Sequence, residues 1–320
     1  MISFDKRELL EATVHGESTS RIGCGFWHHF SPHKNKGIAS VQAHIEFFNA
    51  IDADILKVMN EYMYHIDKNI ASPQDWKKLE AIPFSRTPYL AYIEEIKEIK
   101  KKLPSDVPVF ATVHGVLVSA YHATELPGYF SNPENMVSRH LREDPESVAI
   151  GLQSITDTLI EFCRHLAKIG VDGIYYAALG GEAYRFTSDI FSNFVKPFDE
   201  QVINAINSLG CLSILHICKD QVMLPLYQDI KADVVNWAIH ESEYDLREGR
   251  KLFPDATLLG GFDDRSGVLV SGTISQIERE VDEIVANAGR KRLLIGADCT
   301  LPENIALWRL CAAKNYAQIV

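Results

Sequence analysis

The chain has 320 residues, 46% hydrophobic and 23% charged, enough apolar surface to bury a large core and to exclude an intrinsically disordered protein. A formal net charge of -11 argues against a binder of phosphate backbones, which relies on concentrated lysine and arginine, although a local basic patch for an acidic small molecule is compatible with it. No segment approaches the roughly 20 apolar residues that span a bilayer and the N-terminus has no signal-peptide core, so the expectation is a cytoplasmic protein with no membrane or nucleic-acid partner, its six cysteines held as thiols.

Short apolar runs rich in β-branched and aromatic residues recur along the chain, most of them followed by helical periodicity. In chain order they predict strands at 22–27, 54–58, 108–113, 172–178, 212–218, 233–239, 257–262 and 292–297. Helices are predicted at 93–102, 145–169, 188–208, 243–252, 274–288 and from 303 to about 313. The stretch 60–88 is long and irregular and reads as an excursion over one end of the fold. Gly170, Gly210 and Gly289 each follow a helix where a left-handed C-cap belongs. Eight βα units predict a single domain over residues 1–320, an α/β fold of the (β/α)8 TIM-barrel type. An open dinucleotide-binding sheet is disfavoured, because Gly23-Cys24-Gly25 lacks the third glycine and the helix of that fingerprint.

Barrel enzymes build their sites where strands end, so residues there outrank others. His216-Ile217-Cys218 ends the fifth strand, and positions i and i+2 of a strand share a face, so His216 and Cys218 can reach one ion together. Cys299, just past the eighth strand, opens at the same end. One imidazole and two thiolates suit zinc, and three ligands leave a fourth position open. The same residues also read as a core histidine and small buried thiols, and spacing alone leaves the two readings level. Cys24 is a competing ligand; Cys163 and Cys311 fall on helices as packing residues. Glu182, in the loop after the fourth strand, is either a displaceable ligand or general acid–base, or a solvated loop carboxylate. His28 and His29 follow the first strand and are placed to orient a substrate. Asn236, Trp237 and His240 close the sixth strand and Asp263 and Asp264 the seventh. Asn236, Trp237 and Asp263 are the expected cofactor-pocket residues, although a polar residue at a strand end often only caps the next helix.

Beyond these residues, the segments Gly170-Val171-Asp172-Gly173-Ile174, Phe194-Val195-Lys196-Pro197, Gly260-Gly261-Phe262-Asp263 and Gly272-Thr273 accompany His216-x-Cys218 and Cys299. Across nearly its whole length the sequence resembles the uroporphyrinogen decarboxylase (URO-D) superfamily, and within it the methyltransferase branch. The resemblance implies zinc held by His216, Cys218 and Cys299. It also implies transfer of a methyl group between a corrinoid (cobalamin), carried on a partner protein, and a small-molecule thiol, ether or similar donor or acceptor. Decarboxylases of the superfamily use an arginine-rich N-terminal segment for porphyrinogen carboxylates. The matching stretch here, Arg21 to His29, holds one arginine, which leaves such charges poorly compensated. The alternatives are porphyrinogen decarboxylation without a metal and a non-catalytic metal- or corrinoid-binding barrel. A homodimer is admissible, but the outer helical faces carry no signature of an interface.

Overall fold

A computed structural model describes residues 4–125 and 132–320. Helix α1 (Lys6–Val14) precedes β1 (Gly23–Cys24), and α2 (Gly37–Ile51) leads to β2 (Leu56–Val58). Then come α3 (Tyr89–Lys102), β3 (Val109–His114), α4 (Val116–Thr124), α5 (Met136–Glu143), α6 (Pro145–Lys168) and β4 (Gly173–Ala178). Next are α7 (Ser188–Phe194), α8 (Lys196–Ser208), β5 (Leu212–Ile217), β6 (Val234–Trp237), α9 (Leu246–Leu252) and β7 (Thr257–Phe262). The chain ends through α10 (Val268–Ser271), α11 (Ile274–Ala288), β8 (Leu293–Ala297) and α12 (Leu307–Ala317). No helix among the described residues is long and apolar enough to cross a membrane.

All eight predicted strands are present and pair in parallel, in the order β1-β8-β7-β6-β5-β4-β3-β2, as a curled sheet flanked by helices. Between β1 and β2 a side chain takes the place of a ladder. The Asp54 carboxylate accepts from the Cys24 amide at 2.8 Å and pairs with Arg21, while the Asp54 amide donates to the Cys24 carbonyl at 2.9 Å. The two strands that meet here are two and three residues long, too short to repeat a ladder pattern.

Strand alternation sorts the side chains. Phe110, Tyr175, Ile214, Val234, Leu259 and Leu294, from six successive strands, form one buried cluster inside the curl with Trp27, Ile55 and Met59. The larger cluster lies between sheet and helices. Each such aliphatic or aromatic side chain contributes about 1.5–3 kcal/mol on burial. Two residues on along β5 and β6, the inward positions are His216 and Asn236, so the layer above the apolar one is polar.

Gly170, Gly210 and Gly289 have φ of +70°, +73° and +76°, as the helix stops require. The helix predicted over 188–208 is broken at Val195 (φ -123°, ψ -62°), because Pro197 has no amide and its ring would strike the carbonyl four residues back. The last helix starts at Leu307, four residues late, after a turn in which Ile305 bonds the Pro302 carbonyl. In the irregular stretch, Asn60, Glu61 and Met63 line the cavity described below. Farther along it Trp76 packs on Gly151 of α6 and donates to His140 Nδ1 at 3.1 Å.

Outside the curl, Asp199 of α8 is buried and accepts from the Tyr176 hydroxyl, and its other oxygen has no partner. Burial drives its pKa up to about 7, against the Tyr176 bond and with help from Glu200. The native state therefore keeps a proton that the unfolded chain releases near pH 4. Stability from this group is full below that value and is lost as pH rises through about 7. Urea titrations from pH 5 to 8 are expected to show Asp199→Asn gaining on wild type by about 2.5 kcal/mol as pH rises.

Candidate metal centre

The His216 ring enters from the inner face of β5, against Tyr175 of β4, with ring centroids 5.2 Å apart and planes at 23°. Its Nδ1 lies 2.6 Å from Asn236 Oδ1. The Asn236 amide group cannot turn round, since Nδ2 donates to the carbonyls of Leu259 at 2.7 Å and Ala297 at 3.1 Å. Its oxygen therefore faces His216, which makes Nδ1 the protonated nitrogen and leaves Nε2 as the lone-pair donor. Nε2 is 3.5 Å from Cys299 Sγ. Ligand atoms of His216, Cys218 and Cys299 all lie within 4.8 Å of one another. The three residues lie around a cavity of about 600 Å³ at the C-terminal ends of the strands, a size suited to a small molecule.

The chemistry of the donors fits a zinc ion: an imidazole whose Nδ1 is taken by Asn236 and whose Nε2 is turned to the cluster, two thiols, and a cavity beside them. The hydrogen bond from the Cys218 thiol holds Cys299 well below the ordinary thiol range, and the same bond, with burial, pushes Cys218 well above it. The loop carrying Cys299 is fixed from the sixth-strand side: the amide and Nδ1 of His240 both donate to Asp298 Oδ2, at 2.8 and 2.9 Å, and that bond raises the His240 pKa. Asn236→Ala is expected to lower zinc affinity about 10–100-fold while leaving the circular dichroism spectrum unchanged, because the ring loses the partner that sets its tautomer. Competition with a chromophoric chelator measures it.

URO-D is the family whose model matches the chain, over residues 56–311. The chain belongs to the uroporphyrinogen decarboxylase family. Among solved structures, this URO-D protein resembles a methyltransferase from Methanosarcina mazei at TM-score 0.79 and 15% identity, with 98% of each chain covered. It also resembles a B12-independent methionine synthase from Shewanella sp. W3-18-1, in complex with selenomethionine, at TM-score 0.58 and 13% identity. That match covers 87% of this chain and 85% of the other. No curated protein sequence matches it. At these identities the likeness is one of fold.

Other expected site residues of the URO-D chain are spread more widely. His29 lines the cavity, its Nδ1 2.5 Å from Glu61 Oε1. His28 is buried between Phe30 and Phe47, with Nδ1 against the His29 carbonyl. Glu182 is fully buried behind the loop and bonded to Arg185 and to the Gly180 amide. Trp237 points outward, donating to the Tyr244 carbonyl and filling the space beside Gly249 of α9. Asp263 caps the turn at Arg265 and Ser266, whereas its neighbour Asp264 is buried at the cavity, where burial and the Cys299 thiolate push its pKa up to about 7. Cys24 is buried on β1, away from the cluster, and burial raises its pKa well above the usual range.

Two residues that sequence reasoning passed over also line the cavity. Lys57 of β2 is 4% exposed, and burial depresses its pKa to about 7. His114 ends β3, and its buried Nδ1 has no hydrogen-bond partner. A signal for Lys57 was present: in Ile55-Leu56-Lys57-Val58-Met59 the lysine alternates with Ile55 and Met59, on the inner face.

Proposed function

We propose that this protein is a zinc-dependent methyltransferase moving a methyl group between a corrinoid carried by a partner protein and a small thiol, ether or similar molecule. The observation that carries the reading is the set His216, Cys218 and Cys299, with ligand atoms within 4.8 Å of one another beside an open cavity. Two enzymes named for methyl transfer or methionine synthesis share the fold, which supports it. The arginine of the N-terminal segment supports it too: Arg21 is paired with Asp54 at the strand seam and is not free to receive a porphyrinogen carboxylate.

Zinc at these ligands supplies Lewis acidity, lowering a thiol pKa from about 8.5 or polarising the heteroatom of a methyl donor. The chain's own residues prepare for that. Asn236 holds His216 in the tautomer that presents Nε2, and Asp298 with His240 sets the loop of Cys299. Tyr175 forms the wall beside the imidazole, and the apolar layer beneath closes the cavity floor to water. In this reading His29 touches substrate, while Glu182 and His28, which do not border the cavity, brace the segments around it. Asn236, Trp237 and Asp263 shape the pocket at one remove. In this reading the chain is one closed (β/α)8 domain working in the cytoplasm, and its open mouth admits the corrinoid of the carrier.

Elemental analysis of protein purified without added metal should find about one zinc per chain, and that protein should demethylate free methylcobalamin, followed by its visible spectrum, when a small thiol is added. Failure to retain zinc after anaerobic reconstitution sinks the reading.

A further inference from the structure

Methyl transfer to a thiol leaves a proton to be carried away, and the residues of the metal cluster are not free to take it. His216 has Nδ1 on Asn236 and Nε2 turned to the cluster, and the two sulfurs are the other donors of that site. A base has to come from another wall of the cavity, and it has to reach water, because a proton kept in the site blocks the next turnover.

Glu61 and His29 meet both conditions. Both line the cavity, and His29 Nδ1 lies 2.5 Å from Glu61 Oε1. The carboxylate accepts, so Nδ1 carries the hydrogen and Nε2 keeps its lone pair, the same arrangement that Asn236 imposes on His216. The side chain of Glu61 is 18% exposed and that of His29 58%, so the imidazole can exchange a proton with solvent. The pair joins the loops after β1 and β2, and each loop is fixed. On one side the Trp27 carbonyl accepts from the Leu301 amide at 3.0 Å, and buried His28 turns its Nδ1 to the His29 carbonyl. On the other, Asn60 donates to the Thr112 carbonyl at 3.0 Å and accepts from the Tyr62 amide at 2.9 Å, while the Tyr62 hydroxyl donates to Glu95. Around the pair stand Lys57 and His114 on the cavity wall, His28 next in the chain and Glu303 of the loop after β8. Among the described residues Glu61 is the group that bonds the His29 ring. The other carboxyl on the cavity wall near the cluster, Asp264, faces Arg265 Nε at 3.4 Å.

We propose that Glu61 and His29 are the proton-carrying pair of methyl transfer, with His29 Nε2 as the base and Glu61 as the residue that positions it. The S–H bond of the thiol breaks with its electron pair left on sulfur and its proton on Nε2. The sulfur bonds the methyl carbon of methylcobalamin as the Co–C bond breaks with its pair on cobalt. Glu61 neutralises the imidazolium, which passes the proton to water. The step rests on the methyl-transfer reading; the hydrogen bond that sets the His29 tautomer does not.

Two measurements test the pair. Chelator-treated protein labelled with 15N-histidine, examined by two-bond 1H–15N correlation at pH 8.5, should show His29 as the Nδ1–H tautomer. Glu61→Leu should turn it to the Nε2–H form, and His29→Gln assigns the signals. In the zinc-loaded protein, with methylcobalamin and 2-mercaptoethanol, His29→Gln should lose about 100-fold in kcat at pH 7.5 and Glu61→Leu about tenfold. Both should keep one zinc and a KM for the thiol within about twofold of wild type. The losses should shrink toward pH 10, where the thiol arrives ionised and needs no base. An Nε2–H tautomer in wild type, losses that are the same at pH 10, or a loss shown by Asp264→Asn in place of His29→Gln overturns the proposal. Turnover by wild type with both variants equally fast at pH 7.5 also overturns it and leaves the methyl-transfer reading standing. A wild type that neither holds zinc nor turns over sinks that reading, and this step with it.

Discussion

His216→Ala, Cys218→Ala and Cys299→Ala should each reduce bound zinc from about one equivalent to less than about a tenth, and methyl transfer by at least about 10³-fold. Removing an outer-shell partner of a metal ligand already costs 10–100-fold in affinity, and removing one of three ligands costs more because the remaining pair cannot close the coordination shell. The two cysteines are only partly buried at the cavity, so the metal-free Cys218→Ala and Cys299→Ala variants should melt with the metal-free wild type, whereas His216→Ala also leaves the buried Asn236 oxygen unpaired and should melt lower. Cys24→Ala and Cys311→Ala are the controls. Both should keep their zinc, since neither sulfur belongs to the cluster. Retention of one equivalent in any of the three ligand variants would refute the site.

Glu182→Ala is expected to destabilise the fold by about 3–5 kcal/mol, the second large effect. Glu182 and Arg185 have no exposed side-chain surface; one carboxylate oxygen takes both Nε and Nη2 of the arginine, at 3.1 and 2.9 Å, and the other takes the Gly180 amide at 2.8 Å. Truncation leaves a guanidinium buried without its counter-charge; among the described residues the Tyr121 and Ser138 hydroxyls and the Asn132 carbonyl lie near Nη1, at 3.3 to 3.5 Å. Urea denaturation reads the loss. Glu182→Leu with Arg185→Met should recover most of it, because replacing both partners removes the unpaired charge. A general acid–base role predicts the reverse: a Glu182→Gln variant of wild-type stability whose turnover is lost.

The strands were legible because most of them are short apolar runs buried on both faces, and parallel strands read that way. His216 and Cys218 were legible as partners through the period of two, whereas Cys299, 81 positions beyond Cys218, joined them only through the barrel inference. Helices α2 and α4 were not legible. Val116–Thr124 is apolar on most of its circumference and has no polar stripe to mark a helical period, whereas Gly37–Ile51 has one in the exposed Gln42, Glu46 and Asn49 and was passed over amid its apolar neighbours. Glu182 illustrates a different limit: a glutamate in a glycine-rich loop looks solvated until its arginine is seen three residues away. Lys57 was missed for the opposite reason, because a lysine inside an apolar run reads as a position facing solvent and not as a charge enclosed.

The pairing of β1 with β8 has a consequence for biosynthesis. Gly23 and Cys24 meet Leu294 and Ile295, so among the described residues the first strand finds its ladder partner in the last strand to be made. A nascent chain halted before β8 leaves the β8-facing edge of β1 bare and has not yet received Cys299, so sheet completion and the assembly of the candidate metal cluster become a single late event. Closing so long a loop is a contact of high sequence separation, slow to form. A zinc ion bound at a thousand times its dissociation constant would then stabilise the finished chain, and no truncated one, by about 4 kcal/mol. Metal occupancy would thus report whether translation had reached the final strand.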